Sequence, residues 1–360
     1  MIKWIFALGL VGIGIVSGVC WEDFRWEGSR WEDSSWDDSS WDIPRDVPTI
    51  ARENPTTTIP QWGFYAHEKI NFYACFLLPP KLLAFYKPHI HWIASHATDP
   101  DKRRYLVPEE GPRHFIDIDL YGTYPYPELP RRYDSAVARF GHDTVHERGI
   151  VPWHLQTMQR RLTEAFRAKD LASILKNSAE LGHYMADAHV PLHACSNHNG
   201  QHTGQDGIHG LWESRIPELV LESEFQFFLE PAAYLPRFGP FVWERVLESA
   251  RAADTVLLLE KQLTQRMRAS RKFAYSFRKG RPVRQYSADF ALRYHQLLGD
   301  MVERRMHAAI WAIASAWFTA WVDAGQPDLT QLRGTISFSD SLDQRWQLVE
   351  KMLGRSEGDH

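Results

Sequence analysis

The chain is predicted to fold as an all-α protein, a multi-helix bundle with a metal site between its helices. Three observations support that expectation. The long apolar segments repeat at helical spacing. No stretch alternates convincingly between apolar and polar residues as a half-buried strand would. The chemistry-bearing residues recur as i, i+4 pairs, His183/Asp187 and His209/Glu213, the spacing that sets two side chains one turn apart on a single helix face. Ligands in such a bundle project from facing helices and the loops between them.

Length and composition set the outer limits. With 360 residues, 44% apolar and 24% charged, the chain can bury one large core or two modest ones. A net charge of -4 gives no global reason to expect a nucleic-acid partner. Seventeen histidines against three cysteines steer any metal chemistry towards imidazole and oxygen ligands.

The elements follow in order. Met1-Ile2-Lys3 and the apolar run Trp4 to Val19 read as a signal peptide over residues 1–20. A lipid anchor through Cys20 is the alternative to simple cleavage, although Ser17-Gly18-Val19 is a poor match to a lipidation signal. The product is therefore expected outside the cytoplasm, periplasmic or extracellular. Residues 21–61 carry Trp21, Trp26, Trp31, Trp36 and Trp41 at a period of five, then Pro44, Pro48, Pro55 and Pro60 with a Thr56-Thr57-Thr58 run. A period of five lines up on no helix face, so this stretch reads as a disordered tether.

Residues 62–325 form the expected catalytic domain. Ala66 to Leu78 has helical spacing and stops at Pro79-Pro80, and Lys81 to His96 reads as a second helix. Asp99 to Arg104 reads as a turn and the start of a loop. A Pro/Tyr-rich loop runs from Tyr121 to Tyr133. Val151-Pro152-Trp153 opens a long helix to about Arg167, and Asp170 can cap the next, Leu171 to Ala188. Pro191 must end that helix, which lets His193 turn back towards it. A loop from Ser196 to Gly207 leads into the helix of His209. Phe241 to Arg268 and Ser287 to Val322 read as helices, and the basic stretch Arg266 to Arg284 as a solvated loop, with contact to nucleic acid or anionic lipid as the alternative. Residues 326–360 are expected to be a peripheral tail.

Trp62, His67, Asp99, His114, His183, Asp187, His193, His209 and Glu213 occur in this order and spacing. The set resembles the zinc-dependent phospholipase C and single-strand-specific nuclease superfamily, across about residues 62 to 325. Carried over residue by residue, the resemblance implies up to three zinc ions. Asp99, His114, His183 and Asp187 would hold the first, with Asp101 an alternative to Asp99. His193, His209 and Glu213 would hold the second, leaving room for water and substrate. His67 and Asp187 would share the third with the amine and carbonyl of Trp62. That last assignment needs processing after Gln61, because an α-amine ligates once deprotonated, from a pKa of about 7.7 to 8.0, and an internal amide does not.

The implied chemistry is phosphodiester hydrolysis by metal-activated water, with Asp187 or Asp99 orienting the water and Lys102 or Arg103 neutralising phosphate charge. Glu213 in the last ligand pair and Val151-Pro152-Trp153 look more like the phospholipase C branch. The expected substrate is a phospholipid or another phosphodiester, with single-stranded nucleic acid as the alternative. No organic cofactor and no obligate protein partner are implied. A different class also stands: a non-catalytic zinc-binding protein whose third site is incomplete. His198 and the remaining histidines have no matching position, and His154 and Asp117 are expected in packing or turn roles.

Overall fold

The computed structural model describes residues 63–226, 230–278 and 281–332. The expected signal peptide, the Trp-rich tether, Trp62 and residues 333–360 lie outside the described residues. The described part is mostly helical, as the apolar spacing predicts. No described helix is long and apolar enough to cross a membrane.

Gly63, at φ 76°, opens α1 (Phe64–Ala74), and a 3-10 turn at Cys75–Leu77 closes it before Pro79 and Pro80. The single helix expected over Lys81 to His96 is instead two, α2 (Pro80–Tyr86) and α3 (Ile90–His96). Pro88 lies in the 3-10 turn Lys87–His89 between them, where its missing N–H interrupts the ladder. The stretch read as a turn at Asp99 is a short helix, α4 (Asp99–Arg104), started by Pro100 in its first turn. Three-ten turns at Pro108–Arg113 and Ile118–Tyr121 precede α5 (Tyr133–Phe140) and α6 (His142–Glu147).

Two long helices then form the centre of the bundle. Pro152 starts α7 (Val151–Ala168), which ends on Lys169 in the left-handed conformation. Asp170 caps α8 (Leu171–Asp187), its carboxylate accepting from the Ser173 N–H at 3.2 Å. Pro191 starts a 3-10 turn, Pro191–Ala194. Next come α9 (Ile208–Gly210), a π turn at Leu211–Arg215 and α10 (Ile216–Glu224). After α11 (Phe238–Arg266) and α12 (Ala269–Lys272) the chain departs from expectation. β1 (Phe273–Arg278) and β2 (Arg281–Tyr286) pair antiparallel, with Phe273 opposite Tyr286 and Tyr275 opposite Arg284. The segment read as a solvated basic loop is therefore a hairpin. The helix expected from Ser287 to Val322 breaks at Gly299, φ 60°, into α13 (Ala288–Leu298) and α14 (Met301–Asp323).

Helix α8 packs against α1, α3, α7 and α14, and every residue from Ser178 to Asp187 is buried. Trp317 of α14 is fully enclosed, stacked on Tyr86 at 5.0 Å and donating from Nε1 to the Ser178 carbonyl at 3.0 Å. Gly182 lets α1 come close. A Cβ there would collide with the amide of Asn71, which is itself held by its bond to the His67 carbonyl at 3.0 Å. This close approach places His67 of α1 directly against His183 of α8.

Candidate metal centre

The site grows from that helix contact. The rings of His67 and His183 stack at 4.1 Å. Asp187, one turn beyond His183, turns both its oxygens into the space between elements. Oδ1 lies 3.3 Å from His67 Nε2, and Oδ2 lies 3.1 Å from His114 Nδ1 and 3.3 Å from His183 Nε2. His114 follows the 3-10 turn Pro108–Arg113, and its backbone is fixed by the next elements: the Ile116 N–H donates to the His193 carbonyl at 2.9 Å. His193 returns to the cluster because Pro191 ends the helical path.

Asp101 completes the group around His114 and His183, with Oδ1 3.7 Å from each ring nitrogen. The structure thus places Asp101, and not Asp99, with these histidines. The reason is the helix. Within α4, Asp101 and Arg104 share one side, while Asp99 pairs with Lys102 at 3.2 Å on another. Read as a turn, the segment gave no basis for choosing the side.

On the opposite wall, His209 Nε2 lies 2.7 Å and His193 Nε2 3.4 Å from Glu213 Oε2. Glu213 Oε1 reaches back to His67 Nε2 at 3.3 Å. Glu213 sits in the π turn, a widening found often at functional sites. Pro217 lacks the N–H that an α-helix would aim at the Glu213 carbonyl, and Ile216 bonds Leu211 five residues back instead.

The donor set defines three groups able to hold metal ions, two of which share His183. These are His67/His183/Asp187, Asp101/His114/His183 and His193/His209/Glu213, with the ligand atoms of each within 4.8 Å of one another. Tautomers test the fit. His193 Nδ1 faces the His114 carbonyl at 2.8 Å and His209 Nδ1 faces the His198 carbonyl at 3.2 Å, so each Nδ1 must donate. Each neutral ring then turns the lone pair of Nε2 towards the Glu213 carboxylate. Two acceptors at this distance need a cation or an extra proton between them, and backbone carbonyls on the far nitrogen are the usual support of a metal-binding imidazole.

The electrostatics agree. Burial alone would raise the acids, but the surrounding imidazoles hold Asp187 and Glu213 well below the usual carboxylate range and lower Asp101 too. Burial would lower His67 and His193, yet Asp187 and Glu213 push both up. Behind His114, Glu110 is fully buried. Burial opposes its charge, but Arg103 outweighs that and holds it at about 2. Tyr184 also donates to it.

A cleft of about 640 Å³ opens over the cluster. Asp101, His114, Asp187, His193, His209 and Glu213 face it, with Arg104, Tyr105 and Phe115 on one side and Phe273, Arg284 and Tyr286 of the hairpin on another. Gly63 also lines the cleft; Trp62 is not described. Seven of the expected ligands therefore converge: His67, His114, His183, Asp187, His193, His209 and Glu213.

Lys102 and Arg103, expected to meet phosphate, do not line the cleft. Lys102 pairs with Asp99, and Arg103 bonds Glu180 at 2.7 Å and Glu110 at 2.9 Å. Arg104, unremarked in the sequence, takes the cleft-facing position. His198, which has no matching ligand position, also lines the cleft, and burial first, then the nearby imidazoles, hold it at about 4. Its place depends on the path of the Ser196 to Gly207 loop, for which spacing gives no signal. No protein-family model matches this chain, and no curated protein matches it.

Proposed function

We propose that the protein is an exported, zinc-dependent phosphodiester hydrolase of the phospholipase C type. The observation that carries the reading is the pair of histidines on Glu213, whose far nitrogens are committed to backbone carbonyls while their near nitrogens face a carboxylate. Imidazole and carboxylate donors without thiolate favour zinc, and the described groups contain no cysteine. His193, His209 and Glu213 would hold one ion and Asp101, His114, His183 and Asp187 another. His67 and Asp187 would serve a third, to which Trp62 contributes if processing frees its amine.

When bound, zinc supplies Lewis-acid polarisation of a phosphoryl oxygen and makes water a stronger acid. The chain's own groups do the remainder. Asp187 orients three imidazoles at once, and Asp101 stands at the cleft to orient attacking water, the role expected of Asp99 or Asp187. Arg104 offsets phosphate charge beside Asp101. Tyr105, Phe115 and Leu192 line the cleft near the reacting centre and give an apolar substituent a place to lie. Together with the resemblance carried by Glu213 and Val151-Pro152-Trp153, this apolar wall favours a phospholipid over a polynucleotide.

Metal analysis of the purified protein, with turnover of bis-p-nitrophenyl phosphate before and after chelation, tests the reading. Bound zinc with activity lost on chelation and restored by zinc supports it. A protein that binds zinc without turning over the diester would be the non-catalytic alternative. Faster cleavage of single-stranded DNA than of phosphatidylcholine would move it to the nuclease branch.

A further inference from the structure

The hairpin β1–β2 stands at the rim of the cleft and exposes more aromatic surface than its fold needs. On one face, Phe273, Tyr275 and Phe277 alternate along β1, opposite Tyr286, Arg284 and Pro282 of β2. Tyr286 is buried and Phe273 half-buried, whereas Tyr275 and Phe277 are each 74% exposed. A strand rises about 3.3 Å per residue, so Phe277 stands about 13 Å further along than Phe273. The hairpin borders the cleft through Phe273 and through Val283 to Tyr286, not through Tyr275 or Phe277, and the free face of Phe273 is covered by the Arg284 guanidinium at 3.8 Å. The outer rings are thus set to meet something broader than a substrate lying in the cleft.

Charge selects the partner. From Arg268 to Arg284 the sequence contains Arg268, Arg271, Lys272, Arg278, Lys279, Arg281 and Arg284 and no acidic residue, within a chain of net charge -4. At the base, Arg271 pairs with Asp289 at 2.9 Å and Lys272 with Glu260 at 2.9 Å. Arg278, Lys279 and Arg281 follow Phe277 in the sequence, so the segment after the exposed rings is strongly basic. Exposed aromatic rings on a segment this rich in cations match the boundary of an anionic bilayer, where rings settle at the headgroup level and cations meet lipid phosphates.

We propose that this hairpin is an interfacial anchor that seats the protein on an anionic phospholipid surface with the cleft turned towards the lipid. The orientation rests on the phospholipase reading; the binding does not. The test is co-sedimentation of the full mature chain with vesicles, one set of phosphatidylcholine alone and one of phosphatidylcholine mixed with phosphatidylglycerol. The wild-type chain is expected to prefer the mixed vesicles and to release as salt rises. Tyr275→Ser with Phe277→Ser is expected to weaken vesicle binding at least ~tenfold while leaving soluble-diester turnover and melting temperature unchanged. Tyr275→Trp with Phe277→Trp should bind at least as well as wild type. Wild-type protein that ignores both vesicles, or a serine variant that binds like wild type, would overturn the proposal. So would a wild-type preference for single-stranded oligonucleotide that the serine variant loses. Because binding is read without catalysis, an inactive protein that still binds vesicles separates this proposal from the phosphodiesterase reading.

Discussion

Glu213 shows how much one carboxylate does here, since its two oxygens serve His67 on one side and His193 and His209 on the other. Glu213→Gln keeps the shape and removes the charge, so bound metal per chain should fall, with diester turnover down ~100-fold or more, the scale seen when a ligand shell is broken. Asp101→Asn should reproduce that loss and Asp99→Asn should not; equal effects would return Asp99 to the site. Asp117 tests electrostatics away from the cluster. Burial first, then Asp119, raises its carboxyl to about 7, and its Oδ1 has no hydrogen-bond partner. A raised acid favours the folded state while protonated, so stability is lost as pH climbs from near 4 to about 7. Asp117→Asn should flatten that decline in melts recorded across the same interval. At this scale the sequence was legible where two ligands share a helical turn, as with His183 and Asp187. It was not legible for Asp99 against Asp101, because residues two apart lie on different sides of a helix and tertiary packing chose the side.

Among the elements, the α1–α8 contact matters most to the site. Gly182→Ala inserts one methyl group where the Asn71 amide sits. The helices must part or Asn71 must give up its bond to the His67 carbonyl, at a cost of about 1–3 kcal/mol for an overpacked core. We expect a lower melting temperature and weaker metal retention together, since His67 moves with α1. Long helices were readable from their apolar period, and Asp170 from its capping position. The breaks at Pro88 and Gly299 were written in the sequence as a proline and a glycine inside otherwise helical runs. The hairpin escaped because its cations suggested solvent; the signal was the alternation of Phe273, Tyr275 and Phe277 with Ala274 and Ser276.

For the whole molecule, the cluster is a concentration of charge that a bundle of this size must offset. Asp101, Asp187 and Glu213 stand among His67, His114, His183, His193 and His209, nearly all buried. A cation that binds only the folded chain adds stability by mass action, about 4 kcal/mol at a thousandfold excess over its dissociation constant. Chelation should therefore lower the melting temperature by ~5–15 °C, and zinc should restore it. Protons and metal compete for His67 and His193, whose affinity for protons is raised by the same acids, so metal uptake should release protons and weaken as pH falls. Titration in two buffers of different ionisation enthalpy would read the proton count.

The bulge ahead of Pro217 has one more implication. Ile208, Leu211 and Trp212 are buried before it, and Ile216, Val220 and Leu221 after it, one step out of phase with an unbroken stripe, as if a single residue had been spliced in. Removing Ser214 alone would leave the Pro217 ring against a carbonyl, and replacing Pro217 alone would leave the stripe misaligned. Making both changes should yield a straight, well-packed cylinder in which Glu213 no longer reaches His67: a sturdier protein that has lost its metal chemistry.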